Sequence, residues 1–256
     1  MLISRKFIPS LFTVLNAFCG FMSLIHSSNG NFTEASLFII YASLFDAVDG
    51  LAARLTNSSS EFGVELDSLS DVISFGVAPS YLIYNVYFNE LGDIGAFISS
   101  LIMVFAALRL ARFNVQLVGF DKNKFNGLPA PMTAMTICTY ILFYHNKIFS
   151  EQVSVIVLII LSFSLPILMV SKVKYSTFPK PSLHSIKKNP IVFIVLLIGI
   201  ILTILTDGEG SFSFCLFYIF SGIIISLKNL IFKKRKLHDS EISDEDLELS
   251  PVKKNK

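Results

Sequence analysis

The sequence predicts an all-α protein: a polytopic membrane helical bundle of about eight transmembrane helices with both termini in the cytoplasm. Three observations carry this expectation. Of 256 residues, 53% are hydrophobic and 16% charged, with a mean hydropathy of +0.65, which is too oily for a soluble domain of this length. The apolar residues gather in stretches near the roughly 20 residues that cross about 30 Å of hydrocarbon. Lys and Arg are plentiful in alternate connections and scarce in the others, the asymmetry that fixes which side is cytoplasmic.

Arg5 and Lys6 precede the first stretch, Ile8 to Ser27, and no small-residue cleavage site follows it, so a retained span is expected. The loop His26 to Phe32 leads to the second stretch, Thr33 to Leu55. The polar turn Thr56 to Glu61, with its Asn-Ser-Ser-Ser run, returns the chain toward the third, Leu69 to Phe88. Asn89 to Asp93 opens onto the fourth, Ile94 to Phe113, and Lys122 and Lys124 precede the short fifth, Ala130 to His145. The sixth, Gln152 to Ser171, is followed by Lys172, Lys174, Lys180, Lys187 and Lys188; the seventh and eighth are Pro190 to Thr206 and Ser211 to Phe232. The outward loops hold Lys147 as their only Lys or Arg.

Residues 1–232 thus form one membrane domain. Residues 233–256 are a tail that runs basic, acidic and basic again, expected to be disordered, with Lys233 to Lys236 placed to meet anionic headgroups. Membrane lipids are the expected surroundings and nucleic acid is not an expected partner. Cys19, Cys138 and Cys215 stand alone in apolar runs and read as reduced packing residues. His26, His145, His184 and His238 have no metal-ligand partner at helical spacing.

Four acids break the apolar pattern. Asp46 and Asp49 lie in the second stretch, and Asp67 and Asp71 at the start of the third. An uncompensated acid deep in a bilayer costs about 2.5 to 3.5 kcal/mol, so four together demand neutralisation. At roughly 100° per residue, Asp46, Asp49, Gly50 and Ala53 share one helix face, and Gly63, Asp67 and Asp71 share another. Two such faces brought together make an all-oxygen pocket suited to hard divalent ions, Mg²⁺ or Mn²⁺. Charge balance favours two ions, about 3.5 to 4 Å apart, able to clamp a phosphoryl group. Gly50 and Gly63 allow close approach of a bulky phosphate or sugar, or serve as helix-packing notches, and Arg54 is a partner for pyrophosphate.

The string Asp46-Ala-Val-Asp49-Gly50-Leu-Ala-Ala53-Arg54, eight residues, Gly63, three residues, Asp67, three residues, Asp71 resembles the signature of the CDP-alcohol phosphatidyltransferases at every fixed position. Over residues 8–135 the chain is similar to the integral-membrane phosphatidylserine synthases of that family. This narrower likeness rests on Ile8 to Asn16, Leu66 to Pro79, Arg109 to Asn114, and Phe125 to Pro131, with Ser10 and Met132 departing from the usual residues.

The resemblance implies that Asp46, Asp49, Asp67 and Asp71 are metal ligands, that Asp71 is also the general base, and that Gly50, Ala53, Arg54 and Gly63 line the CDP moiety. It implies transfer of the phosphatidyl group from CDP-diacylglycerol to the hydroxyl of L-serine by direct displacement, giving phosphatidylserine and CMP, with a homodimer as the assembly. Arg109 and Arg112, beside Asn114, are candidates for the serine carboxylate, the lipid phosphate or headgroup anchoring. Thr13, Asn16 and Ser74 are polar positions on apolar helices that bind substrate or bridge helices. The expected location is a bacterial inner membrane with the active site facing the cytoplasm. Rival readings are a sister transferase using glycerol phosphate, inositol phosphate or choline, and a cation channel or transporter lined by the acids.

Overall fold

The computed structural model describes residues 7–56, 61–118, 127–173, 175 and 190–228. All regular structure among them is helical. α1 spans Phe7–Ser28 and α2 Phe32–Thr56. Between them the chain reverses at Gly30, whose φ of 76° is the left-handed value that ends many helices. The Asn31 backbone carbonyl accepts from the Ala35 amide at 3.0 Å, the first bond of the α2 ladder.

α3 covers Glu61–Asp71 and α4 Ala78–Val86, joined without a break by a single π-helical turn at Val72–Val77. The cause is local. Pro79 has no N–H to give the carbonyl one turn back and its ring clashes there, so the ladder widens and the Ala78 amide bonds to Ile73 O instead. The expected third span began at Leu69, but the helix starts at Glu61. A hydropathy window detects only the apolar run and misses the two polar turns before it.

A short 3-10 turn, Phe88–Leu91, leads into α5, Gly92–Val118. α6 is Ala130–Phe143, about 21 Å long, and α7 is Glu151–Val170. α8 is Pro190–Leu205 and α9 is Gly210–Lys228. Five described stretches are long and apolar enough to cross a membrane by themselves: Leu11–Ser28, Phe32–Ala52, Phe88–Val115, Glu151–Val170 and Gly210–Lys228. The protein is a multi-pass membrane helical protein.

Side-chain placement follows the logic of a bilayer. On α1 the buried stripe is Thr13, Asn16, Gly20, Ser23 and Ser27, while Leu11, Val14, Phe18, Phe21 and Ile25 face outward. Lipid tails are as apolar as leucine, so the large side chains gain nothing by turning inward, and small residues let backbones close up. α1 packs along α2, α3, the π turn and α4; α5 covers the π turn and α4 from the other side and continues onto α7. The π turn is therefore central, with Ser74, Phe75 and Gly76 fully enclosed.

The membrane domain boundary at 232, the tail 233–256, Arg5, Lys6, Lys122, Lys124, Lys174, Lys180, Lys187, Lys188, His184 and His238 lie outside the described residues.

Candidate active site

α2 carries Asp46 and Asp49 on its second half, and α3 carries Asp67 and Asp71 one turn apart. Carboxylate oxygens of Asp46, Asp67 and Asp71 all lie within 4.8 Å of one another. Asp49 stands beside this trio, close enough to act electrostatically on Asp46 and Asp67. Around one octahedral Mg²⁺ adjacent oxygens lie about 3 Å apart and opposite ones about 4 Å, so the trio can close on an ion by rotating its carboxylates inward. Asp49 and Asp71 are buried, and like charges at this range in a dry setting repel strongly.

Neighbouring helices orient these acids. The Thr13 hydroxyl donates a hydrogen bond to Asp49 Oδ2, and Asn16 Nδ2 donates to Asp71 Oδ1 at 3.2 Å. Asn16 is itself fixed, since its backbone carbonyl accepts from Ser74 Oγ at 2.8 Å. Asp49 Oδ1 and Asn16 Oδ1 remain buried with no hydrogen-bond partner among the described residues. Orphaned acceptors beside a carboxylate trio fit a site that takes cations.

The other sequence candidates fall in three groups. Thr13, Asn16 and Ser74 bridge helices through the bonds just given. Asn114 on α5 likewise bridges, donating from Nδ2 to Ser68 Oγ at 2.9 Å. Arg109 is half-buried, within Coulombic range of Asp71 and Tyr218, and its enclosed Nε has no hydrogen-bond partner among the described residues. Arg112 is exposed and reaches Val170 O at 3.5 Å, joining α5 to the end of α7. Gly50 is exposed and Gly63 half-buried; Ala53 and Arg54 belong to the last turns of α2, and their side chains lie outside the described residues.

The cysteines are free and buried, and His26 stacks on Phe38 away from the acids. Tyr218, on α9, is a neighbour of Arg109 that sequence reasoning missed, because a tyrosine in an apolar run carries no positional signal of its own. Gly127 pins the approach to α6. Its φ is +95°, its amide donates to Val173 O at 2.8 Å, and a Cβ there would meet Met169 O at 2.0 Å.

Comparison with known proteins supplies the last observations. A family model described as CDP-alcohol phosphatidyltransferase matches residues 6–170. The chain is 36% identical over 231 residues to the CDP-diacylglycerol--serine O-phosphatidyltransferase of Helicobacter pylori, covering 89% of this chain and 95% of that protein. It is 35% identical over 185 residues to the Bacillus subtilis protein of the same name, covering 72% and 98%. To the archaetidylserine synthase of Methanothermobacter thermautotrophicus it is 41% identical over 170 residues, covering 66% and 69%.

Proposed function

The chain belongs to the CDP-alcohol phosphatidyltransferase family, and from that premise we propose that it transfers the phosphatidyl group of CDP-diacylglycerol to the hydroxyl of L-serine. The products are phosphatidylserine and CMP. The observation that carries the reading is the convergence of Asp46, Asp67 and Asp71 from two helices, with Arg109 beside Asp71. Family membership displaces the channel or transporter reading.

Asp46, Asp49, Asp67 and Asp71 are the residues that would hold two divalent cations, Mg²⁺ or Mn²⁺. When bound, such ions supply charge neutralisation and Lewis-acid polarisation of the phosphoryl oxygens. Asp71, held by the Asn16 amide, takes the proton of the serine hydroxyl. The freed oxygen bonds to the phosphorus that carries diacylglycerol, and the bond from that phosphorus to the CMP oxygen breaks. Arg54 meets the charge left on CMP, and Gly50, Ala53 and Gly63 line the CDP moiety. Arg109 offers its guanidinium to the serine carboxylate, an anion that must be held close to the Asp71 base.

The same reading assigns residues 8–135 to the catalytic core and 1–232 to the membrane domain, with a charged tail at 233–256. It orients the acids toward the cytoplasm of a bacterial inner membrane and takes a homodimer as the working form. Supporting it are the Lys and Arg distribution and the signature around Asp46 to Asp71. The test is CMP release by purified protein in detergent given CDP-diacylglycerol, Mn²⁺ and one acceptor at a time. Serine should drive release. A preference for glycerol phosphate, inositol phosphate or choline would overturn the assignment.

A further inference from the structure

Part of the polar surroundings of Arg109 comes from the C-terminal portion of the chain, beyond the 6–170 family match. Tyr175 follows α7, and Tyr218 lies on α9. Their rings stack, with centroids 5.6 Å apart and planes 27° from parallel. Gly222 sits one turn beyond Tyr218 on the same face of α9. A Cβ at Gly222 would lie 2.3 Å from Tyr175 Cε1, so the ring can lie against α9 only because this position has no side chain.

Tyr175 is 7% exposed, yet its hydroxyl has no hydrogen-bond partner among the described residues. A buried phenol without a partner is costly and marks a place where a polar ligand group is missing. Burial, with help from Tyr218, pushes this phenol up to about 12, so at neutral pH it carries its proton and donates. Tyr218 is within electrostatic reach of Tyr175 and of Arg109, and Arg109 of Asp71. Arg109 Nε is the second unsatisfied donor in the group. Two buried donors without acceptors, one of them cationic and within reach of Asp71, are the kind of donor set an anion requires.

We propose that Tyr218 and Tyr175 complete the acceptor subsite, Tyr218 positioning the Arg109 guanidinium and the Tyr175 hydroxyl donating to the carboxylate of the incoming amino acid. This rests on the serine-transfer reading. It gives the C-terminal spans a part in choosing the acceptor, and it gives a physical reason for Gly222, which seats the Tyr175 ring.

The experiment compares Tyr218→Phe, Tyr175→Phe and Gly222→Ala with wild type in CMP-release kinetics, varying serine and CDP-diacylglycerol in turn. The phenylalanine variants keep the stacked rings and remove only the hydroxyls. Tyr144→Phe is the control, since its hydroxyl meets the Glu209 carbonyl at 3.2 Å on the α6 side of α9. The KM for serine should rise about tenfold or more in the three test variants, the worth of a hydrogen bond to a charged group. The KM for CDP-diacylglycerol should match wild type in all three, and so should the thermal midpoints of the two phenylalanine variants and every parameter of Tyr144→Phe, while Gly222→Ala, which displaces the Tyr175 ring, should also lower the midpoint. An unchanged serine KM overturns the proposal. So does a rise confined to CDP-diacylglycerol, which would give the subsite to the lipid phosphate, or a uniform loss of activity with a lowered midpoint in the phenylalanine variants. A wild-type protein that ignores serine would sink the serine-transfer reading itself, whereas active wild type with unaffected tyrosine variants sinks only this inference.

Discussion

Asn16 on α1 donates its side-chain amide to Asp71 on α3 across 3.2 Å, and the backbone carbonyl of the same residue accepts from Ser74 at 2.8 Å. One asparagine thus ties the proposed base to the π turn that follows it, and a chain of buried polar contacts runs from α1 into the acidic cluster. Its consequences are measurable.

Asp71→Asn keeps the shape and removes the base. CMP release should fall by about 10² to 10⁴-fold, the usual contribution of a general base, with the thermal midpoint held or raised because a buried charge is gone. Activity equal to wild type would remove Asp71 from the mechanism.

Cation binding has a readout besides turnover. Titrating Mn²⁺ into purified protein should raise the thermal midpoint, by the equivalent of about 2.7 kcal/mol at a hundred times the dissociation constant. Asp46→Asn and Asp67→Asn should each lose most of that shift, and chelation with EDTA should abolish CMP release until Mn²⁺ or Mg²⁺ is restored. A wild-type midpoint indifferent to Mn²⁺ would argue against the cluster as a cation site.

Thr13→Val removes the donor to Asp49 Oδ2 while keeping the β-branched shape. An orienting partner of a ligand carboxylate is commonly worth about 10- to 100-fold in metal affinity. The Mn²⁺ concentration for half-maximal activity should rise by that factor, and Thr13→Ser should restore it. No change in Thr13→Val would mean that Asp49 needs no orienting bond.

Gly20→Ala tests the α1 seam. The new Cβ would lie 2.5 Å from Ser74 Oγ and 2.9 Å from Ser74 Cα. Backbone cannot yield as a side chain does, so α1 must move off the π turn at about 1 to 3 kcal/mol. The expected result is a lower thermal midpoint together with reduced activity, since Asn16 withdraws from Asp71 as α1 shifts.

Pro79→Ala restores the missing amide and lets the ladder close normally over residues 75–79. The helix gains propensity, so the thermal midpoint should hold or rise, while the turn through Val72 to Val77 rewinds and Asp71 rotates away from Asp46 and Asp67. Stability and CMP release should therefore move in opposite directions. A variant with full activity would show that the wide turn does not set the aim of Asp71.

Much of this was legible in the residues. Apolar stretches give the order of the helices and their membrane character because the bilayer constrains both directly, although only five of the eight expected spans are, among the described residues, long and apolar enough to cross by themselves. The shared faces of Asp46 with Asp49 and of Asp67 with Asp71 follow from helical periodicity alone. What was hidden depends on three dimensions. Periodicity puts all four acids at the seam but does not say that Asp49 is turned toward Thr13 while the other three converge. The π turn had a signal in Gly76 and Pro79 that a hydropathy reading ignores, and the pairing of Tyr175 with Tyr218 joins residues 43 apart in apolar or polar context without any motif. Thr13, Asn16 and Ser74 could not be sorted between ligand binding and bridging until their partners were known.

The inward stripe of α1, Thr13, Asn16, Gly20, Ser23 and Ser27, has a practical corollary. A seam closed by hydroxyls, an amide and a bare backbone is one that water can imitate, since each of its bonds has an aqueous substitute of similar strength. What keeps water from competing is the hydrocarbon outside Leu11, Val14, Phe18, Phe21 and Ile25. The surrounding lipid therefore behaves as a structural component, and amphiphiles that form thin or wet micelles should loosen α1 before any other helix begins to unfold.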